Sequence, residues 1–227
     1  ILANSLVRNQ TNRILRYRKP MNADKIAKTV GEPVEVKYVL DLRDFSSLPY
    51  GNKFVTDFSV IENDPEVDVV GETIGGAKVA LEFTTRALKA GKSVVTSNKE
   101  LVATHGYELL QLAHKNGCSY LFEASVGGGI PIIRALNSSM TADVIEEITG
   151  ILNGTTNYML TKMFYEGADY DEVLKEAQDN GYAERDPSAD IEGYDACRKI
   201  CIPFVITLCT CYCICCTCWV TACLNSN

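Results

Sequence analysis

Several things the chain lacks narrow its reading. The G-x-G-x-x-G turn, which lets a backbone close around a pyrophosphate, does not occur near the start. Residues 1–33 hold a single glycine, Gly31, and the one glycine cluster, Gly127 to Gly129, follows a late strand with the wrong spacing. Either no dinucleotide is bound, or the segment that would carry the turn is missing or disrupted. Acid is absent from residues 1–20, which hold four arginines and a lysine; the first carboxylate is Asp24. Such a start reads as an organelle transit peptide or as a run of disturbed sequence. The first residue is Ile1, not Met, and the chain is expected to be a fragment. At the other end charge is absent from Ile200 onward, while eight of the ten cysteines fall between Cys201 and Cys223. That stretch contains no histidine, and its spacing does not bring four zinc ligands together. It reads as a degenerate tail, as a membrane segment over residues 200–224 that Pro203 and the Thr/Cys density argue against, or as metal or redox chemistry. Cys118 and Cys197 stand alone, which suits a reducing cytoplasm.

The composition is that of a soluble globular protein, with 46% hydrophobic and 22% charged residues. A net charge of −7 argues against nucleic acid and anionic membrane surfaces as partners. A chain of 227 residues allows one large domain or two small ones.

The middle of the chain alternates strand and helix patterns. Strands are expected at VEVKYVL (34–40), DVVGETI (68–74), KSVVTSN (92–98) and SYLFEASV (119–126), with helices at 78–91 and 105–117 that close on Gly91 and Asn116-Gly117. This pitch predicts βαβ units and a parallel sheet, whose ligands bind beyond the carboxyl ends of the strands. After Gly129 the character changes. A strand is expected at 143–153, a helix at 154–167 capped by Thr155 or Thr156, a helix at 169–181 behind Asp169, and a helix starting near Asp190 or Glu192. The domain boundary is expected near residues 128–131.

Four stretches carry candidate chemistry, each with an ordinary structural alternative. TSNK (96–99) ends a buried strand, where Asn98 and Lys99 hold a carboxamide and polarise an oxygen, or simply cap the next helix. FEASVGGGIP (122–131) offers the Glu123 carboxylate and glycine-freed carbonyls to a hard cation, or is a hinge. ILNGTTNYML (151–160) puts Asn153, Gly154 and two threonines at a helix start, for a carboxylate ligand or for capping. In GYAERDPSADIEGYDACRK (181–199), Asp186-Pro187 excludes helix at Asp186, and Asp195 and Lys199 lie at i and i+4. Taken alone, that pair is a common feature of solvated helix faces, worth about 0.3–0.5 kcal/mol.

Together these stretches, with EVKYVLDLRDF and the IGG turn at 74–76, resemble homoserine dehydrogenases in order and spacing from about Ala23 to Ile200. ILNGTTNY and YAExDPxxDxxGxDxxxK carry most of the specificity. The resemblance implies an α/β fold: an incomplete Rossmann-like parallel sheet, then a partial α+β substrate and dimerisation domain. It divides the chain into 1–20 (unassigned), 21–129 (dinucleotide-binding, partial), 130–200 (substrate-binding and catalytic, partial) and 201–227 (uncharged tail, unassigned). It further implies NADP- or NAD-dependent interconversion of L-aspartate 4-semialdehyde and L-homoserine, on the route to threonine, methionine and isoleucine, by a cytoplasmic homodimer, or a plastid one in a plant.

Under that resemblance Lys199 is the proton donor and Lys99 a second lysine near the same oxygen. Glu184 and Asp195 hold the substrate's ammonium and hydroxyl, joined by Asn153, Gly154 and Thr155. Ile74, Gly75, Ser97, Asn98, Lys99 and Gly181 border the cofactor. Arg43 takes the 2′-phosphate of NADP, although Asp41 and Asp44 flank it. Glu123 and the carbonyls of Val126, Gly128 and Ile130 form a monovalent cation site, with sodium expected. The missing glycine turn and the sequence beyond Lys199 depart from the family. A non-enzymatic remnant, or a dimerisation partner of an intact enzyme, is therefore the competing reading.

Overall fold

The computed structural model describes residues 23–43, 45, 47–48, 51–139 and 147–210, with backbone alone for Ala23, Ile26 and 204–210. The expected transit or disturbed segment at 1–20, the tail beyond Thr210 and the start of the strand expected at 143–153 lie outside them. The chain divides into two compact units. One comprises residues up to Asn98 with Glu108–Ile130, the other Lys99–Tyr107 with residues from Pro131 on.

The first unit is α/β. Its main sheet is β3 (Val69–Glu72), β4 (Ser93–Thr96) and β5 (Tyr120–Leu121), all parallel and adjacent in sequence order. A smaller parallel pair joins β1 (Val39–Leu40) to β2 (Phe54–Val55). Helix α1 (Ala23–Val30) precedes them and the single turn α2 (Ser59–Glu62) follows β2. Helices α3 (Lys78–Lys89) and α4 (Lys99–Lys115) make the crossovers that parallel strands require. Helix α3 stops where Gly91 takes φ +75°, a conformation costly for any residue with a Cβ. The core gathers Ala80, Ala87, Leu88, Val94, Leu109 and Ala113. Each fully buried leucine contributes roughly 1.5–3 kcal/mol. Phe58 stacks on Phe83 at 4.7 Å, with the Arg86 guanidinium 5.0 Å from the Phe58 ring.

All four expected strands come out shorter than their patterns predict, and two of them keep only two paired residues. Of 34–40, only Val39 and Leu40 pair. Val34 and Val36 are exposed, and Lys37 is drawn into ion pairs with Asp64 (2.6 Å) and Glu66 (2.5 Å), so the segment has β-branched residues but no ladder partner among the described residues. In 119–126 the strand ends at Leu121, and Glu123–Ser125 turns as a 3₁₀ helix closed by Ser125 N–H on the Phe122 carbonyl.

The second unit is helical among the described residues: α5 (Ile133–Ser139), α6 (Gly154–Glu166), α7 (Tyr170–Asp179), the short α8 (Ser188–Ile191) and α9 (Tyr194–Thr210), with the first turns of α4. Residues 147–153 form no strand, and Ile151 is 78% exposed; no neighbouring strand is described there to complete a ladder. Helices α6 and α7 bury Met159, Val173, Ala177 and Ala183 between them. Glu176 of α7 accepts from Lys162 (2.7 and 2.8 Å) and from the Tyr158 hydroxyl (2.6 Å) of α6. Gly167 ends α6 in the left-handed region (φ +66°), and Asp169 caps α7 by accepting from Asp171 N–H. Helix α9 contains Pro203. Among the described residues no helix is long and apolar enough to cross a membrane, and Cys118 and Cys197 form no disulfide.

Candidate active site

The site in the second unit is built where three helix starts converge. Asp195 stands in the first turn of α9 and is 3% exposed. Its Oδ1 receives the ammonium of Lys99, the first residue of α4. Its Oδ2 receives Lys199 Nζ at 2.7 Å, one helical turn on, and Asn153 Nδ2 at 2.9 Å. Lys199 also donates to the Leu152 carbonyl at 2.9 Å. An ammonium has three N–H groups, so two are committed here and, among the described residues, one remains for an incoming oxygen. Burial pushes the Asp195 carboxyl up, but hydrogen bonds from Lys199, Lys99 and Asn153 outweigh it and hold Asp195 below the usual aspartate range.

Asn153 is the N-cap of α6, a role the pattern assigned to Thr155 or Thr156. Its Oδ1 accepts from Thr156 N–H (2.8 Å) and the Thr156 hydroxyl (2.9 Å), and its amide nitrogen also donates to Asp190 Oδ1 at 2.7 Å. Asp190 is thereby a site residue that the sequence reading missed. A break at Gly193 (φ +79°) separates α8 from α9, so the 190/195 spacing shows no helical signature. Gly154 is the first residue of α6, and Thr155 donates to the Tyr182 carbonyl at 2.8 Å. Glu184 is exposed, and among the described residues its side chain makes no hydrogen bond with this cluster. Gly181 takes φ +73° just past α7.

The first unit carries the other expected residues. At the carboxyl ends of β3 and β4, Glu72 is 4% exposed; it accepts from Ile74 N–H at 2.5 Å and from the Thr96 hydroxyl. Burial raises its pKa, against the hydrogen bonds from Thr96, Ile74 and Asn98. Asn98 gives its amide nitrogen to the carbonyls of Ile74 (3.0 Å) and Gly76 (2.8 Å). It therefore staples the glycine turn, and Ser97 follows on the same strand end. Gly75 and Gly76 have open space above them, where even a Cβ would meet nothing within 4 Å. An exposed glycine backbone at the carboxyl ends of parallel strands fits a dinucleotide.

Beyond β1, Arg43 is held by Asp41 through Nε (3.0 Å) and Nη2 (2.7 Å), and this pairing keeps the Asp41 carboxyl low. A cleft of about 340 Å³ opens there, with Asp41, Arg43, Phe45, Phe54 and Thr56 among its walls. Around the expected cation site, the chain curls back so that the Ile130 carbonyl lies 3.1 Å from where a Cβ on Gly127 would stand; Glu123 and Val126 are part-buried and Gly128 is exposed. Carboxylate and carbonyl oxygens are the ligands that a hard cation takes.

Two family models match. One, described as homoserine dehydrogenase, covers residues 131–209; the other, described as homoserine dehydrogenase, NAD binding domain, covers residues 12–123. The chain belongs to the homoserine dehydrogenase family. It is 49% identical over 183 residues to the homoserine dehydrogenase of Bacillus subtilis, covering 79% of this chain and 42% of that one. The crystal structure of the homoserine dehydrogenase from Thiobacillus denitrificans superposes with a TM-score of 0.72 at 44% identity, over 84% of this chain and 44% of the other. A hyperthermophilic archaeal homoserine dehydrogenase solved in complex with NADPH gives a TM-score of 0.63 at 30% identity, over 80% of this chain and 53% of the other. The α/β, Rossmann-like class expected from sequence is thus shown. The chain spans less than half the length of the Bacillus subtilis homoserine dehydrogenase it matches. The relatives named here are bacterial or archaeal, which does not bear out a plastid location.

Proposed function

We propose that the protein interconverts L-aspartate 4-semialdehyde and L-homoserine, and that residues 21–129 hold the dinucleotide and 130–200 the substrate. The observation that carries this is the pairing of Lys99 and Lys199 on the one buried carboxylate of Asp195, with Lys199 further anchored to the Leu152 carbonyl. When bound, the nicotinamide supplies hydride to the carbonyl carbon, or takes it back. Lys199 gives its uncommitted proton to the oxygen that becomes the hydroxyl, and accepts that proton in reverse. Lys99 places a second positive charge beside the same carboxylate and steadies the developing alkoxide. Asp195 keeps both ammonium groups in place. Glu184, exposed, and Asp190, whose Oδ2 takes no hydrogen bond among the described residues, receive the substrate ammonium, with Gly154 and Thr155 lining the approach.

On the dinucleotide side, the Ile74–Gly75 turn, Ser97, Asn98 and Gly181 bound the cofactor. Arg43 leaves Asp41 to take the 2′-phosphate of NADP, or Asp41 takes the ribose hydroxyls of NAD. Glu123 with the carbonyls of Val126, Gly128 and Ile130 holds a sodium ion. The complete protein is a cytoplasmic homodimer.

The test is oxidation of NADPH by aspartate semialdehyde, followed by absorbance. Lys199→Ala is expected to lower kcat by about 10²–10⁴-fold. Arg43→Ala is expected to weaken NADP more than NAD. Undiminished turnover in Lys199→Ala sinks the assignment. Absence of any nicotinamide oxidation leaves the non-enzymatic partner as the reading.

A further inference from the structure

Asn153 was expected to touch substrate, but its hydrogen-bonding capacity is already full. A side-chain amide offers two N–H donors and two acceptor lone pairs. Both donors go to carboxylates, Asp190 Oδ1 at 2.7 Å and Asp195 Oδ2 at 2.9 Å. Both lone pairs go to Thr156, through its backbone N–H at 2.8 Å and its hydroxyl at 2.9 Å. The residue is 7% exposed. Turning the amide over would set its oxygen against two carboxylates and its NH₂ against a backbone N–H, so one orientation alone satisfies every partner.

We infer that Asn153 is a positioning residue: without touching substrate, it bridges Asp190 and Asp195 on one planar amide and so fixes which oxygens the two carboxylates present. This rests on the reading of the Asp195–Lys199 cluster as the homoserine site. The amide is a rigid spacer. Its two N–H groups diverge at a set angle, and its oxygen is pinned to the start of α6, so the carboxylates of α8 and α9 are registered against a third helix. Asp195 is left with Oδ1 facing Lys99 and Oδ2 shared with Lys199, while Asp190 Oδ2 takes no hydrogen bond among the described residues. The charged groups around the amide are Asp190 from α8, Asp195 and Lys199 from α9, and Lys99 from α4. Within this cluster α6 contributes only the uncharged Thr156.

This explains why an amide stands there although Ser or Asp caps a helix as well. Serine caps but cannot reach two carboxylates. Aspartate caps too, but it places a third carboxylate against the other two. Such a group cannot share the site ionised and takes up a proton instead.

The experiment is a ¹³C carboxyl NMR titration of the 227-residue chain labelled at aspartate, for wild type, Asn153→Asp and Asn153→Ser, with thermal melting and homoserine titration alongside. In N153D the introduced carboxyl is expected to titrate at least about one unit above the ordinary aspartate value. In N153S the melting temperature is expected to hold, because the cap survives. The Asp190 and Asp195 resonances move, and homoserine affinity falls by about tenfold or more. The inference is overturned if the introduced carboxyl titrates at or below the ordinary value, as a plain helix cap would. It is equally overturned if N153S keeps both aspartate resonances of the wild type, whether homoserine binding stays (a cap only) or falls (a direct substrate contact). Should N153D not fold, N153S decides alone. Failure of wild type to bind homoserine would sink the proposed function and leave the titration result standing.

Discussion

Asp195 and Glu72 are both buried carboxylates, yet their surroundings push them in opposite directions. Around Asp195 two ammonium groups and an amide outweigh burial, so its pKa in the folded chain lies below the unfolded value. The stability it contributes is fully present above the ordinary aspartate range and is lost as pH falls through the depressed folded value. Asp195→Asn leaves two lysines facing a neutral group and is expected to cost about 1–3 kcal/mol at neutral pH. It should also flatten the acid-side fall, as read from urea midpoints across pH. Glu72 meets only neutral donors, and burial wins. Its folded pKa is raised, so its contribution is fullest below the ordinary glutamate value and declines as pH rises through the raised one. Glu72→Gln should abolish that decline in the same measurement, and an unchanged slope would show that the carboxyl is not the titrating group.

Among the elements, the α6–α7 pair rests on a left-handed turn at Gly167 (φ +66°). Gly167→Ala is expected to lower stability by about 1 kcal/mol through backbone strain alone, since an added Cβ would meet no neighbour. Guanidinium melts will show this as a shifted midpoint at constant slope. Helices and their glycine stops were legible in the sequence because periodicity and turn chemistry are local. So was the i, i+4 pairing of Asp195 with Lys199. Strand lengths were not: VEVKYVL has the composition of a strand, but pairing depends on a partner that lies elsewhere in the chain. Lys99 directly follows the expected strand 92–98, and α4 begins with it, six residues before the helix expected at His105. The bridge from Asn153 to Asp190 and Asp195 was hidden for a related reason, since it spans 37 and 42 residues, a range that no local pattern reports. The cap itself is local, Asn153 Oδ1 accepting from Thr156 N–H three residues on, but Thr155 and Thr156 are equally suited to capping by residue type.

At the scale of the molecule, the second unit leaves Ile151, Leu160, Phe164 and Tyr165 between 63% and 82% exposed. Leu160 and Phe164 lie one turn apart on α6, and Phe164 and Tyr165 pack edge to face at 5.0 Å. An apolar patch of this kind promotes association. The chain is expected to self-associate with rising concentration in sedimentation velocity, and Leu160→Glu with Phe164→Glu to suppress it. Unchanged sedimentation would show that the patch is not what drives association.

Pro203 lies four residues beyond Lys199 inside α9. A proline has no N–H, so the Lys199 carbonyl lacks the donor that an unbroken helix would supply, and the ring crowds that same carbonyl. The lysine that anchors to Leu152 and Asp195 is thus mounted on the one turn of α9 whose backbone ladder has a rung removed. Its side chain is tethered at the tip while its main chain is loosened at the root.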